Sequence, residues 1–399
     1  QILYLCITVR KKMKKIIILI LIFLSLKSNV YAKSELKLGA LLPLSGEHAL
    51  LGNNIYQSIL ITIFELENLR IKIIPLDTRS TKAGTKEAFQ KGLSEQVDIF
   101  IGPIFFDTLS EIKNLKGFKD KIFFSYSNNE NITLPNVINF GINLSSQVNA
   151  LEKIFNQNER YIFFGDSSNF TKKVSEKVKK LKSKRSRTVI YKNFEDINLK
   201  TKQVTNFSYR NNKHLKEIKR LEKIQKEKEI EKTEDATLHA RYIENMKKFD
   251  TRDKVKFRKV FLSSYNEELI ASLSYFDFYD ANYKDVQFIT LNLWFEKKYL
   301  NEPSLENLIF PSINYKAYQE LNKKYQKNFN KNIYHLEVLT FDMIPLIAAT
   351  WFSSKERKLK ASNFNGSYKG KTGNFLIKEN KAYRNLILYK IKDKKFKKI

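Results

Sequence analysis

The four histidines, His48, His214, His239 and His335, are the side chains best able to bind a metal or move a proton near neutral pH. No two of them have the spacing of a metal-binding pair, and the single cysteine, Cys6, adds no thiolate cluster. Hydrolysis by paired carboxylates would need two acids converging on one bond. Asp77, Asp107 and Asp166 follow apolar runs, where such acids can sit, but the sequence does not bring any two together. His48 lies close to Ser45, yet there is no G-x-S-x-G elbow to present a nucleophile. The reading is a protein that is not an enzyme, with no catalytic residues, no metal and no cofactor.

The chain has instead short loops rich in hydroxyls and amides. Pro43-Leu44-Ser45-Gly46, Gly102-Pro103-Ile104-Phe105-Phe106, Ser125-Tyr126-Ser127-Asn128-Asn129 and Gly165-Asp166-Ser167-Ser168 each follow an apolar run. Ser45 and Gly46 can offer backbone N–H groups at a helix start, a good place for an anionic group. Ser125, Ser127 and Asn129 supply neutral donors and acceptors, which suits reversible recognition better than bond cleavage. With Phe105, Phe106, Asp166, Tyr265 and Trp294, these residues are the expected lining of a ligand cleft. Each loop taken singly also reads as an ordinary turn or helix cap.

The elements that would position these loops alternate. Leu36–Leu42, Ile71–Leu76, Val97–Ile101 and Ile122–Ser125 are short, nearly unbroken apolar runs, as expected for strands buried on both faces of a parallel sheet. Asn53–Leu66 and Lys82–Glu95 are amphipathic stretches long enough to be crossovers. A second set follows: strands Arg160–Gly165, Thr188–Tyr191, Val260–Ser263, Val286–Leu291 and Leu308–Pro311, with helices Asn169–Leu181 and Glu267–Phe278. Two late helices, Tyr315–Asn328 and Leu336–Phe352, break the alternation, and Pro345 predicts a kink or a start in the latter. Gly373–Lys378 and Leu386–Ile391 read as a closing β-hairpin. Between the two sets, Lys213–Lys248 is dense in Lys and Glu and carries Leu215, Ile218, Leu221 and Ile224 at helical spacing. In open α/β sheets ligands sit beyond the carboxyl ends of the strands, which is where the polar loops fall.

Met13-Lys14-Lys15, the apolar run Ile16–Leu26 and the site Val30-Tyr31-Ala32 predict a secretory signal over residues 13–32, with 1–12 read as upstream sequence. The apolar run is shorter than the about 20 residues that span a bilayer, so no stable membrane span is expected once the signal is cleaved. The expected location is the periplasm. The formal charge of the 399 residues is +30; residues 1–32 hold six basic residues and no acid, which leaves +24. Lysine dominates the excess and is spread over the surface helices. A nucleic-acid face would concentrate it and interleave aromatics, so no nucleic-acid partner is expected.

These residues carry a resemblance. Leu38-Gly39-Ala40-Leu41-Leu42-Pro43-Leu44-Ser45-Gly46 with Gly52, Asp77-Thr78 and Ile101-Gly102-Pro103 resemble the opening of type I periplasmic binding proteins. The Lys/Glu-rich insertion, Thr290-Leu291-Asn292-Leu293-Trp294 and Gly366–Phe375 are most similar to the penicillin-binding-protein-activator-like branch of the superfamily. The resemblance implies two Rossmann-like α/β lobes, with mainly parallel sheets, joined by three crossovers and closing on ligand as a hinge. The crossovers are placed near Gly141, Pro311 and Gly373. That gives one lobe from 33–141 plus 311–372 and another from 142–310 plus 373–399, with the insertion at about 213–248. The resemblance also implies that relatives binding branched-chain amino acids hold the substrate carboxylate with Ser or Thr after the Gly-Pro step. Here Phe105 and Phe106 stand there, and Asp107 would repel a carboxylate. That departure tilts the reading toward a regulator of peptidoglycan synthesis whose partner is a peptidoglycan synthase. The alternative is a substrate-binding protein that delivers an amino acid or related small molecule to the permease of an ABC transporter.

Overall fold

The computed structural model describes residues 35–399 except 132, 157–158, 182–183, 232–233 and 355–357, and of Phe106 the backbone alone. The expected signal over residues 13–32 lies outside the described residues. Two sheets organise the rest. In the first, strands Ile71–Asp77, Leu36–Leu42, Ile99–Ile101, Ile122–Ser125, Val137–Asn139 and Lys381–Arg384 lie side by side in parallel. Asn374–Lys378 and Gly366–Lys369 add antiparallel strands at the far edge. In the second, Lys184–Tyr191, Arg160–Asp166, Lys259–Leu262, Gln287–Ile289 and Ile309–Ser312 are parallel. Ile387–Lys392 and Lys395–Lys398 complete that sheet antiparallel. The central strands are apolar because both faces are covered. Leu36, Leu38 and Leu42 are fully buried, each worth about 1.5–3 kcal/mol over an exposed position.

The long apolar helix Thr340–Ser353, with the short turn Leu336–Leu339 before it, packs on helix Ala49–Phe64 of the first lobe. Leu336–Ser353 is long and apolar enough to cross a membrane by length and composition, but most of it is buried inside the protein. It runs through Pro345 and begins at Thr340, so the proline does not start it.

Two expectations near the carboxyl end are corrected. Gly373–Lys378 and Leu386–Ile391 are not a hairpin, because Asn374–Lys378 pairs with Lys381–Arg384 in the first sheet and Ile387–Lys392 lies in the second. Glu379 and Asn380 both adopt positive φ, which closes a two-residue turn and returns the chain at once. The third passage between lobes therefore falls between Arg384 and Ile387, and Gly373 sits within the first lobe, in the turn joining Gly366–Lys369 to Asn374–Lys378.

The three passages are tied together by buried polar groups. The Arg384 guanidinium donates to Asp342 Oδ2 at 3.2 Å, to Thr372 Oγ1 at 3.2 Å and to the Phe140 carbonyl at 3.3 Å. It also lies over the Phe140 and Phe375 rings, 4.6 and 5.1 Å from their centroids. Its backbone N–H donates to Ser146 Oγ, Asn143 donates to the Ala382 carbonyl, and the Asn314 N–H donates to the Thr372 carbonyl. Residues from all three passages thus share one network.

The insertion is a helical pair, Phe207–Ile230 and Ala236–Met246, with its own small core of Ile218, Leu221, Ile243 and Met246. Arg210 roots it, donating to the carbonyls of Thr205, Asp253 and Tyr279 and to Thr251 Oγ1.

Arg384→Met strands the Asp342 carboxylate in a dry site and should cost about 3–5 kcal/mol in urea unfolding. Arg384→Met with Asp342→Leu should recover most of that loss; equal losses in the single and double variants would show that the pair is not what holds the site. Deletion of 213–248 should leave a cooperative thermal transition, because the helical pair packs on itself; loss of that transition would show that the insertion is part of the main core.

Candidate functional site

The loops at the carboxyl ends of the two parallel sheets face each other across a cavity of about 680 Å³. The first lobe contributes Ile104, Phe105 and Tyr126-Ser127-Asn128-Asn129. The second contributes Phe170, Ser263–Asn266, Thr290–Trp294, Glu296 and Tyr299. Ile142 and Gln147 close the base beside the first passage, and His335 and Leu336 one side.

Of the ten residues expected to line the cleft, Phe105, Ser127, Asn129, Tyr265 and Trp294 do so. Ser127 Oγ accepts the Asn129 N–H, and Asn129 Oδ1 accepts the Asn131 N–H, so this loop is held by its own side chains. The exposed rings of Phe105, Phe170 and Tyr265 make the cavity wall partly aromatic, and Phe170 meets Tyr265 edge-on with centroids 6.2 Å apart.

The other five do different work. The Ser45 hydroxyl and N–H both donate to Asp77, and the N–H groups of Leu44 and Arg79 join them. Burial draws the Asp77 carboxyl up, but these four hydrogen bonds outweigh it and hold it below the usual carboxylate range. The N–H expected to meet an anionic ligand is therefore already spent on Asp77. Gly46 sits at φ +82°, with the Arg79 carbonyl only 2.6 Å from where a Cβ would project; it is required by the turn. Ser125 is buried and donates to the Pro103 carbonyl, bracing the neighbouring loop. Asp166 accepts from Ser168 and Thr171 at the start of helix Asn169–Val178, and Thr171 in turn touches Ser263 in the cavity wall. The side chain of Phe106 lies outside the described residues.

Sequence reasoning passed over Gln147, Asn292, Glu296 and His335. Gln147 Oε1 accepts the Asn292 N–H at 3.0 Å, joining the first passage to the second lobe. Asn292 Oδ1 accepts from Ser312 Oγ and from the Trp294 N–H, fixing the turn that places the indole. Trp294 and Phe295 both have positive φ, a conformation that bulky side chains avoid and that costs roughly 1–3 kcal/mol each. Asn292 on one side and the His335 ring 5.8 Å from the indole on the other hold Trp294 there. Asn292 lies two residues from Trp294 in a segment already singled out, whereas His335 had no signal beyond being a lone histidine. Ser263 and Ser264 follow a strand end, the same signal that selected Ser125.

Among the described residues lining the cavity there is no Lys or Arg, in a chain with 72 of them. The charged group is Glu296, which pairs with His335 Nε2 at 2.9 Å and Lys298 Nζ at 3.0 Å. The His335 hydrogen bond, opposed by burial and aided by Lys298, holds the Glu296 carboxyl below the ordinary glutamate range. Among the described residues no group of three or more His, Cys, Asp or Glu could hold a metal ion.

No family model matches the chain, and no curated protein matches it by sequence. Solved structures do match in fold. A putative branched-chain amino acid ABC transporter protein from Rhodospirillum rubrum superposes with TM-score 0.67 at 12% identity, over 92% of this chain and 100% of the other. LivJ from Streptococcus pneumoniae, a branched-chain amino acid transporter substrate-binding protein in complex with isoleucine, gives 0.58 at 12% over 92% and 99%. The C-domain of LpoA from Haemophilus influenzae, a regulator of PBP1A, gives 0.58 at 11% over 91% and 99%. The chain has the two-lobed α/β fold of the type I periplasmic binding proteins.

Because the Glu296 carboxyl titrates lower in the folded protein than the about 4.3 of a free glutamate, its contribution to stability is complete above that value. It is lost as pH falls through the folded value. Glu296→Gln should therefore flatten the acid limb of a Tm-against-pH curve; an unchanged limb would mean that the pairing contributes nothing.

Proposed function

We propose that this protein captures a small solute between its lobes in the periplasm, as a substrate-binding protein does for an ABC transporter permease, and releases it unchanged. The observation that carries the reading is the cavity itself. At about 680 Å³ it falls within the roughly 300–1,000 Å³ of small-molecule sites. It is walled by aromatic rings and by the neutral groups of Ser127, Asn128, Asn129, Tyr265 and Asn266. A protein that acted only through its outer face would have no need of such a space. The lining suits a ligand with an apolar or aromatic body and a few neutral polar groups. It does not suit an anion seeking a salt bridge, since no Lys or Arg among the described residues lines the cavity and Glu296 would repel negative charge.

A second reading, regulation of a peptidoglycan synthase, has separate support. The helical insertion exposes Tyr209, Leu215, Ile230 and Leu238, apolar surface that neither sheet uses, and the matching LpoA C-domain regulates PBP1A. In that reading the insertion is the docking face and the cleft is secondary.

A thermal-shift screen of amino acids, aromatic acids, short peptides and muropeptides separates the two. Solute capture predicts a saturable rise in Tm, equivalent to about 2.7 kcal/mol at a hundred times Kd, that Tyr265→Ala with Asn128→Ala abolishes. No shift across the screen, with recovery of a penicillin-binding protein that depends on the insertion, would favour the regulator.

A further inference from the structure

A second, smaller compartment lies against the first. It has a volume of about 330 Å³ within the first lobe, lined by Leu41, Pro43, His48, Thr78, Ser80, Thr85, Pro103, Ile104, Phe105, Asp107 and Thr108. It shares Ile104 and Phe105 with the main cleft, so the Phe105 ring stands between the two spaces. That ring is 41% exposed and rests on the His48 ring with centroids 4.9 Å apart.

Of the compartment's polar groups, the Ser80 and Thr85 hydroxyls donate to the Ser45 and Thr81 carbonyls, and the others are unspent. The hydroxyl of Thr78, a residue only 2% exposed, has no hydrogen-bond partner among the described residues, and neither do the side chains of His48, Asp107 and Thr108. Thr78 lines the compartment and its hydroxyl is open to it rather than sealed in the protein, so water or a ligand group entering the compartment supplies its partner. In the main cleft Ser263, Ser264, Thr290, Gln147 and Asn292 bond within the protein, while Asn128 and the Tyr265 hydroxyl keep free capacity for the ligand's body. A carboxylate is an acceptor only, and Asp107 is the charged group here, so the matching occupant carries donors and positive charge. The space has room for several waters or for a short chain ending in an amine.

We infer that the ligand has two parts: an apolar or aromatic body in the main cleft, and a tail ending in an ammonium group that passes Phe105 to reach Asp107, Thr78 and Thr108. Phe105 is then the specificity-determining side chain, a shutter that turns on His48 to admit the tail. This rests on the reading of the main cleft as a solute site and adds the class of solute.

The test is calorimetric titration of the full chain with phenylalkylamines of increasing length and with phenylalkanols of the same lengths. The expected result is a step of about tenfold in affinity at the length where the amine reaches Asp107, absent for the alkanols and lost in Asp107→Asn. Phe105→Ala should bring the step to shorter members. Thr78→Val should lower affinity for the long amines while leaving the ligand-free Tm unchanged or higher, since no internal hydrogen bond is lost; a fall in ligand-free Tm would show that the hydroxyl is structural and overturn its role. A smooth rise with length, alike for amines and alkanols and unchanged in Asp107→Asn, would overturn the second compartment while leaving the main cleft as a binding site. Failure of every member of both series to bind would overturn both.

Discussion

The buried pair of Arg384 and Asp342 is the constraint on which the two-lobed arrangement turns. Three separate passages of chain must meet at one place for two sheets to share a cleft, and polar backbone groups have to be satisfied where they meet. Arg384 does this with one planar side chain, bonding the Phe140 carbonyl of the first passage and Thr372, which in turn accepts the Asn314 N–H of the second. Asp342 is fully buried at its side chain and tolerable there because the guanidinium is within reach. Such a pair adds little net stability but is costly to break, which makes it a device for fixing geometry.

From that base the site follows. Gln147, next to the Ser146 that braces Arg384, reaches Asn292, and Asn292 sets the strained turn carrying Trp294 and Phe295. The cavity floor and its aromatic wall at Trp294 are thus linked through hydrogen bonds to the place where the chain changes lobes. A rotation of the lobes would be felt first at Gln147 and Asn292 and at the Glu296–His335 contact. In the proposed reading, recognition and closure would be coupled through these few amide and carboxylate groups.

Much of the fold was legible because strands covered on both faces must be apolar and short. Leu36–Leu42 and Ile122–Ser125 coincide with their expected runs, and the Lys/Glu-rich stretch resolves into a helical pair. Val137–Asn139 escaped because three residues make too little pattern, and the closing hairpin was misread because register between lobes leaves no trace in periodicity. Of the site, the loops after the strands were legible from topology. The spent Ser45 was not: whether an N–H faces a ligand or a neighbouring carboxylate depends on Asp77, a residue from another loop. His335 was invisible for the same reason, since its meaning comes from Glu296 and Trp294 across the cleft.

Native mass spectrometry of the intact chain after incubation with a cell-envelope metabolite extract tests the central claim most directly. If the cleft between the lobes is a place of capture, a single stoichiometric adduct of small-molecule mass should appear and should vanish in Trp294→Ala. A spectrum showing the bare chain in both proteins, or an adduct that survives loss of the indole, would contradict the account.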